Sequence, residues 1–463
     1  MDEETPLKRG FLYRKRILIG YPDMQPVTEK RWKIRDEDAE TAKALASELS
    51  LALPIARVLV NRGMKSAASA RSYLSPTLAE LHEPLLLLDM ERAVERLAQA
   101  RSRGETVCVY GDYDVDGITS TALLVNFFRE VGVPCFYHIP KRLEDGYGLS
   151  NDGISQVASQ GAKVVVTVDC GVTAVEEARL AASLGIDLII TDHHTPGGSL
   201  PDAHSVINPL RPGCSFPFKG VAGVGVAFNL IMALRRRLRE EGAFDGQTEP
   251  DLREYLDLVA LGTIADVVPL QDENRTLVRF GLKALETSSR PGITALKEVS
   301  SVSGEVSCSA VGFRLAPRLN AAGRLEDAAL GVELLLSGDI GDARRIASEL
   351  DASNTARQAV EREILQSALA MIENAEGISG RSSIVLASPE WHPGVIGIVA
   401  SRIVDIYHRP TVLIALEDGS GRGSGRSIPG FHLYQALHAC TDHLLRFGGH
   451  RQAAGLAIDE ATL

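Results

Sequence analysis

The chain has 463 residues, 45% of them hydrophobic and 24% charged, with a formal net charge of −11. This length predicts two to four domains with ample buried core, and the composition is that of an ordinary globular protein, not a disordered or fibrous one. No stretch approaches eighteen uninterrupted apolar residues, which argues against a membrane span, and the acidic balance argues mildly against nucleic acid except through locally basic grooves.

In chain order, residues 1–32 read as an N-terminal extension; its basic cluster Arg14, Lys15 and Arg16 precedes no long apolar run, so it is not a signal peptide. Residues 33–104 carry helical spacings, broken by LSPTLAELHEP. From 105 to 340, apolar runs (TVCVY, KVVVTVD, IDLIITD) alternate with amphipathic segments, the signature of a parallel sheet with helices on both faces. Residues 341–376 read as one long connecting helix, and 377–463 as a second, smaller α/β domain. The predicted class is therefore α/β, with a parallel-sheet domain joined by a long helix to a smaller α/β domain and preceded by a helical segment. Six scattered cysteines without a CxxC pair fit reduced thiols in a cytoplasm.

The segment YGDYDVDGITS places Asp112, Asp114 and Asp116 at every second position after VCVY. If the strand runs on, the period of two puts all three carboxylates on one face, roughly 7 Å apart. Such a group is unfavourable unless a cation sits among them; the plainer reading is a helix cap, which usually needs one such residue. Two further strand ends carry potential ligands: Asp169 in VVVTVDCG, and Asp192, His193 and His194 in LIITDHH. In an open parallel sheet, groups beyond the carboxyl ends of separate strands converge. Asp266, in LGTIADVVPL, is an isolated carboxylate among small and apolar residues and needs a partner if buried. Carboxylates with one or two imidazoles and no thiolate suit manganese or magnesium, and Cys170 reads as core. The surplus of ligands over one ion's needs suggests two divalent cations about 4 Å apart, clamping a phosphoryl centre.

DYDVDG, VDCG, TDHH and GTIADVVPL, in this order, resemble the motifs of the DHH phosphoesterase superfamily. More closely, YGDYDVDG, PKRLEDGYGLS, APRLNAAGR and FGGHRQAAGLA resemble the RecJ family of bacterial single-strand exonucleases, from about Trp32 onward. The resemblance implies a DHH domain followed by a DHHA1 domain. It also implies metal-dependent hydrolysis of single-stranded DNA from its 5′ end to 5′-mononucleotides, in DNA repair and recombination. By resemblance, Asp114, Asp116, Asp169, His193 and Asp266 are metal ligands, with Asp112 taking the place of a histidine found in pyrophosphate-cleaving relatives. His194 would contact the scissile phosphate or protonate the leaving oxygen, with Asp192 orienting a neighbour. Manganese is expected ahead of magnesium. The expected partners are a single-strand-binding protein and a RecQ-type helicase, around an exonuclease acting as a monomer.

For the substrate, GSGRGSGRSIPGF reads as a Gly/Ser loop able to cradle a phosphate, with Arg422 and Arg426 as charge partners. The resemblance singles out Ser424 and Arg426 as a terminal-phosphate pocket, with Arg142 facing them. It also points to Arg318, Asn320 and Arg324 as backbone binders near the metals, and to Gly448, Gly449 and His450 of FGGH as close phosphate contacts. Trp391, His392 and Tyr407 are equally readable as base-stacking or as packing. GVAGVGVAF invites a dinucleotide-binding reading, but Ala227 and Phe228 stand where the last glycine is needed and no clear strand precedes it, so its glycines read as close helix packing.

Two other readings stand beside the exonuclease. One is a phosphodiesterase for short oligonucleotides, cyclic dinucleotides or pyrophosphate with the same centre; the helical N-terminal segment and the DGYG and PRLNAAGR motifs weigh against it. The other is an inactive DNA-binding scaffold, which predicts missing ligands, and none is missing. RecJ-like chains continue into an OB-fold that grips single strands, whereas this sequence stops at LAIDEATL: either it is a truncated form or the variant lacks that clamp, which leaves tight binding and processivity open while the chemistry is expected to survive.

Overall fold

Short runs of β-branched and aromatic residues form the strands, and longer amphipathic runs the helices, in a computed structural model that describes residues 38–140, 148–325, 328–374 and 381–463. At the N-terminal side, α1 (Ala39–Glu48), α2 (Leu53–Asn61) and α3 (Ala67–Leu74) close around a small core of Leu45, Ala56, Leu59 and Ala70. Helix α4 (Met90–Arg103) then leads into the first sheet.

That sheet contains β1 (Val107–Tyr110), β2 (Cys135–His138), β3 (Val164–Val168), β4 (Asp187–Thr191) and β5 (Ser205–Ile207), all parallel, in the order β2-β1-β3-β4-β5. Alternation along the strands divides the core in two. Val107, Val109, Val164 and Val166 face α4, α5 (Val115–Glu130) and α8 (Gly223–Glu240), while Cys108, Tyr110, Val165 and Ile190 face α6 (Asn151–Ser159) and α7 (Val175–Ser183). A sheet covered on both faces needs apolar residues at every position, which is why β1 and β3 are buried throughout.

Helix α9 (Leu256–Ala265), apolar but for Asp257 and Thr263, is buried from Leu256 to Ile264, and the Asp257 carboxylate is paired with Ser288 and Arg290. The helix packs against α5, α8, α10 (Asp272–Thr287) and a π turn (Val311–Leu315); α11 (Pro291–Val299), α12 (Cys308–Ala310), α13 (Ala316–Leu325) and α14 (Ala329–Leu336) belong to the same unit, with α14 against α5 and α11. The expected long helix is α15 (Ile340–Asn374), 35 residues in length. The structure divides into two compact units within it, one ending at Glu363 and the other beginning at Ile364. Among the described residues, no helix is long and apolar enough to cross a membrane.

The C-terminal unit has a mixed sheet of β6 (Ile384–Ser388), β7 (Thr411–Glu417), β8 (Ser420–Arg426), β9 (Arg446–Gly449) and β10 (Ala453–Asp459), in the order β6-β7-β8-β10-β9, with α16 (Ile396–Tyr407) and α17 (Leu433–His438). Only β6 and β7 pair in parallel. Here the sequence reading of GSGRGSGR as a loop is corrected: it is the central strand β8, hydrogen-bonded to β7 and β10 along its length. Its glycines alternate onto one face, where a Cβ at Gly421 would lie 2.7 Å from Ile414, at Gly423 2.7 Å from Leu456, and at Gly425 2.8 Å from Leu433. Large neighbours fill the space that side chains would take, so the strand must be glycine every second residue.

Candidate metal centre

In the strand order, the chain leaves β1 for β2 on one side and returns to β3 on the other, so a crevice opens beyond the ends of β1 and β3. Asp112 follows β1, Asp169 follows β3, and Asp192, His193 and His194 follow β4. The period-of-two reading of Asp112, Asp114 and Asp116 does not hold, because the strand stops at Tyr110. Asp114 is instead the N-cap of α5, its Oδ1 accepting from the N–H groups of Asp116 (2.9 Å) and Gly117 (3.1 Å). Asp116 lies in the first helical turn, 1% exposed.

The Asp116 carboxylate accepts from the first two N–H groups of α8, Gly223 at 2.6 Å and Val224 at 2.8 Å, which aim the positive end of that helix at it. Asp169 takes a left-handed backbone, φ +61°, unusual for a non-glycine residue and characteristic of strained functional turns. Asp266 terminates α9 as its C-cap.

Around His193 these carboxylates close in. Its Nε2 lies 3.1 Å from Asp169 Oδ1, 3.6 Å from Asp266 Oδ2 and 3.9 Å from Asp116 Oδ2. Three overlapping groups have ligand atoms within 4.8 Å of one another: Asp116, His193 and Asp266; Asp112, Asp114 and Asp169; and Asp169, His193 and His194. All six expected ligands therefore meet in one place.

Burial first, and then the charges of Asp266 and Asp114, hold Asp116 well above the usual carboxylate range, overcoming its two backbone hydrogen bonds. Asp169 is raised by burial and then by the charges of Asp116, Asp114, Asp112 and Asp266. Burial and the charge of Asp114 lift Asp266 to about 7. His193 is pushed down to about 4, mainly by burial and then by His194, so it is neutral and able to act as a ligand near pH 7.

The donor set fits divalent cations. His193 Nε2 and Asp266 Oδ2 are buried without a hydrogen-bond partner, so both point lone pairs into the cluster. A hydrogen bond with the Val221 backbone works against the burial-driven lowering of His193 without overcoming it. Two glycines make room: a Cβ at Gly223 would sit 2.8 Å from Asp169 Oδ1, and one at Gly262 3.0 Å from Asp116 Oδ1 and 2.3 Å from Thr119 Oγ1.

Asp192 holds the adjacent loop. Its Oδ1 accepts from the backbone of His193 (2.7 Å) and His194 (3.0 Å) and lies 2.8 Å from His194 Nδ1, while Oδ2 accepts from Val172 N–H at 2.9 Å. Burial alone would lift Asp192 and depress His194. The hydrogen bond and charge between them reverse both effects, lowering Asp192 and raising His194 to about 9. The fully buried Asn208 donates to the His194 carbonyl at 2.9 Å.

The remaining sequence candidates lie on other elements of each unit. Asn320 Oδ1 accepts from Val115 N–H at 3.2 Å, at the start of α5. Arg318 donates to Asp351 at 2.7 Å and to the Arg314 and Val299 carbonyls, ties that position it within its own unit. In the C-terminal unit, Arg426 donates to Ser424 Oγ at 3.2 Å on β8, and a Cβ at Gly397 in the first turn of α16 would lie 2.8 Å from that oxygen. Gly448 and Gly449 end β9, and His450 is exposed beside them. Arg142 and the side chain of Arg324 lie outside the described residues. Trp391 is 4% exposed and donates to Ser367 Oγ, so it packs. Sequence reasoning missed Gly223, Val224, Gly262, Val221 and Asn208. Gly223 lay inside the dismissed dinucleotide motif, whose helix start was the available signal.

The DHH family, N-terminal domain, matches residues 106–263, and the DHHA1 domain matches residues 380–463. The single-stranded-DNA-specific exonuclease RecJ of Dickeya dadantii is 46% identical over 451 residues, covering 94% of this chain and 76% of that one. The chain belongs to the RecJ family. RecJ of Bacillus subtilis is 41% identical over 434 residues, 93% of this chain, which spans about half of that relative (53%). Among solved structures, RecJ of Thermus thermophilus in complex with Mn²⁺ matches with a TM-score of 0.77 at 36% identity, covering 91% of this chain and 58% of that one. The same enzyme in complex with Mg²⁺ matches at 0.71 and 35%, covering 91% and 56%. The RecJ family resemblance and the α/β architecture read from the sequence both hold.

Proposed function

We propose that this chain is a metal-dependent 5′→3′ exonuclease that hydrolyses single-stranded DNA to 5′-mononucleotides in DNA repair and recombination. The observation that carries the reading is the meeting of Asp112, Asp114, Asp116, Asp169, Asp266 and His193 around one crevice. The carboxylate-rich groups Asp116/His193/Asp266 and Asp112/Asp114/Asp169, in contact through Asp169 and His193, favour two divalent ions, Mn²⁺ ahead of Mg²⁺. When bound, such ions supply a nucleophile at neutral pH and stabilise charge on a phosphoryl centre.

The protein's own groups do the rest. Val221 and the α8 N-terminus hold His193 and Asp116 in place, and Gly223 and Gly262 let the elements approach. Asp192 keeps His194 protonated, so that His194 can contact the scissile phosphate and pass a proton from Nε2 to the 3′ oxygen of the departing nucleotide. Ser424, Arg426, Gly448, Gly449 and His450, with Arg142, Arg318, Asn320 and Arg324, are proposed to hold phosphates. Cytoplasmic location, action as a monomer, and work beside a single-strand-binding protein and a RecQ-type helicase belong to the same proposal.

The test is digestion of a linear 5′-phosphorylated single strand, its circular counterpart and a dinucleotide, with Mn²⁺, Mg²⁺ or chelator. Metal-dependent shortening of the linear strand to mononucleotides, with the circle intact, is expected. Cleavage of the dinucleotide alone would replace this function with that of a short-substrate phosphodiesterase.

A further inference from the structure

Asn274, the third residue of α10, is fully buried, and its amide nitrogen donates to two carbonyls far apart in sequence: Gly220 at 2.6 Å and Pro269 at 3.0 Å. Both partners are acceptors, so only the NH2 group can face them, and both of its hydrogens are used. The Asn274 Oδ1 is buried without a hydrogen-bond partner. An unpaired buried oxygen is unfavourable, so the reason for this amide lies in what its NH2 group joins.

The two carbonyls flank the metal centre. Gly220 stands three residues before Gly223, whose N–H, with that of Val224, holds the Asp116 carboxylate. Pro269 stands three residues after Asp266. Asp116 and Asp266 offer ligand atoms to one group with His193, all within 4.8 Å of one another. One amide therefore ties the segment that orients the first carboxylate to the loop that carries the second.

That loop is under constraint. Val267 holds a left-handed backbone, φ +60°, which a β-branched residue adopts only where its surroundings impose it. Its side chain is 85% exposed, so packing does not hold it there. Backbone bonds remain: Val267 N–H to the Ile264 carbonyl at 3.2 Å, Gln271 N–H to the Pro269 carbonyl at 2.9 Å, and the Asn274 amide on that same carbonyl. The base of the tie is firm. Gly281 lets α10 lie against the Leu256 carbonyl of α9, where a Cβ would clash, and Arg275 and Arg279 donate to the carbonyls of Tyr73 and Leu74, each at 3.2 Å.

Resting on the exonuclease reading above, we propose that Asn274 is a positioning residue for the metal centre, its NH2 group setting the separation of Asp116 and Asp266. It touches neither cation nor strand, and acts through the backbone on either side.

The experiment compares the unsubstituted chain with Asn274→Asp, which puts an oxygen where the NH2 group was, and Asn274→Ala. Leu285→Ala, fully buried on the same helix, is the stability control. Mn²⁺ affinity is measured by calorimetry, amide hydrogen exchange in the metal-free protein, and kcat and KM on a 5′-phosphorylated oligothymidylate. N274D and N274A are expected to bind Mn²⁺ about 10- to 100-fold more weakly, as when a group supporting a ligand is removed. Exchange should quicken at 220–224 and 266–270 together. Excess Mn²⁺ should restore kcat, with KM for the strand unchanged. L285A should melt earlier and keep its Mn²⁺ affinity. A second measurement needs no variant: with ¹⁵N-labelled asparagine, both Asn274 NH2 protons should exchange slowly and shift when Mg²⁺ is added. Folded variants within twofold of the unsubstituted Mn²⁺ affinity, an equal loss in L285A, or NH2 signals indifferent to Mg²⁺ would each overturn the proposal and leave the exonuclease reading standing. Mn²⁺ binding without digestion by the unsubstituted chain overturns that reading alone, and neither binding nor digestion overturns both.

Discussion

Both oxygens of Asp192 are occupied by N–H groups, and it faces His194, not the carboxylate cluster. Its effect on catalysis should therefore run through the His194 proton and through the loop it holds, since an asparagine there can accept at only one of these two positions and gives up a backbone bond at the other. In Asp192→Asn the charge that holds His194 at about 9 is gone, so the His194 pKa should fall toward its ordinary 6.5, visible by NMR titration of the metal-free protein. Digestion should drop more than tenfold at pH 8, where His194 would then be neutral, and the deficit should shrink at pH 6, where it would regain its proton. An equal deficit at both pH values would make Asp192 a purely structural residue. A second prediction concerns space. Gly223→Ala drives a Cβ against Asp169 at 2.8 Å, so Mn²⁺ affinity by calorimetry should fall at least tenfold, whereas Gly198→Ala, with nothing within 4 Å, should leave it unchanged.

At the scale of elements, the sequence was legible where one physical cause dominated. Continuous apolar runs marked β1, β3 and β4, and their ends marked Asp169 and His193; the proline-free periodicity marked α15. It misled where two causes compete. Aspartates at every second position suit a strand face, but Asp114 is also a strong helix cap, and capping decided the conformation after Tyr110. Glycine is depleted in strands, so GSGRGSGR looked like a loop; the bulky neighbours Ile414, Leu456 and Leu433, distant or unplaced in sequence, make it a strand. That correction is testable. Gly423→Val overpacks against Leu456 and Ile414 and should destabilise the C-terminal unit by about 1–3 kcal/mol, read from denaturant unfolding followed by hydrogen exchange of β7 and β10. A loop would have tolerated it. The placement of the α8 N-terminus on Asp116 was not legible at all, because it depends on a contact across 107 residues.

For the whole molecule, the metal centre couples folding, protons and cations. In the metal-free protein, Asp116, Asp169 and Asp266 are all raised, Asp266 to about 7, whereas the unfolded chain holds ordinary carboxylates that have lost their protons by pH 6. The folded state then binds more protons than the unfolded one, and its stability declines as pH rises. His194 at about 9 acts with the same sign between its ordinary 6.5 and 9. His193, lowered to about 4, acts in the opposite direction only below its ordinary 6.5, where the unfolded imidazole takes a proton that the folded one refuses. Above pH 6.5 nothing in this set opposes the decline, so the metal-free protein should melt at progressively lower temperature from pH 6.5 to 9. Cations bind only deprotonated carboxylates, so Mn²⁺ should displace about one proton or more at pH 7. Calorimetric titration in PIPES and in Tris, whose ionisation heats differ, would count them. Because rising pH removes the competing protons, Mn²⁺ affinity should increase from pH 6 to 8, and saturating Mn²⁺ should flatten or reverse the decline in melting temperature. Binding without proton release, at an affinity independent of pH, would mean that the carboxylates are already ionised and that the cluster is relieved by something other than the cation.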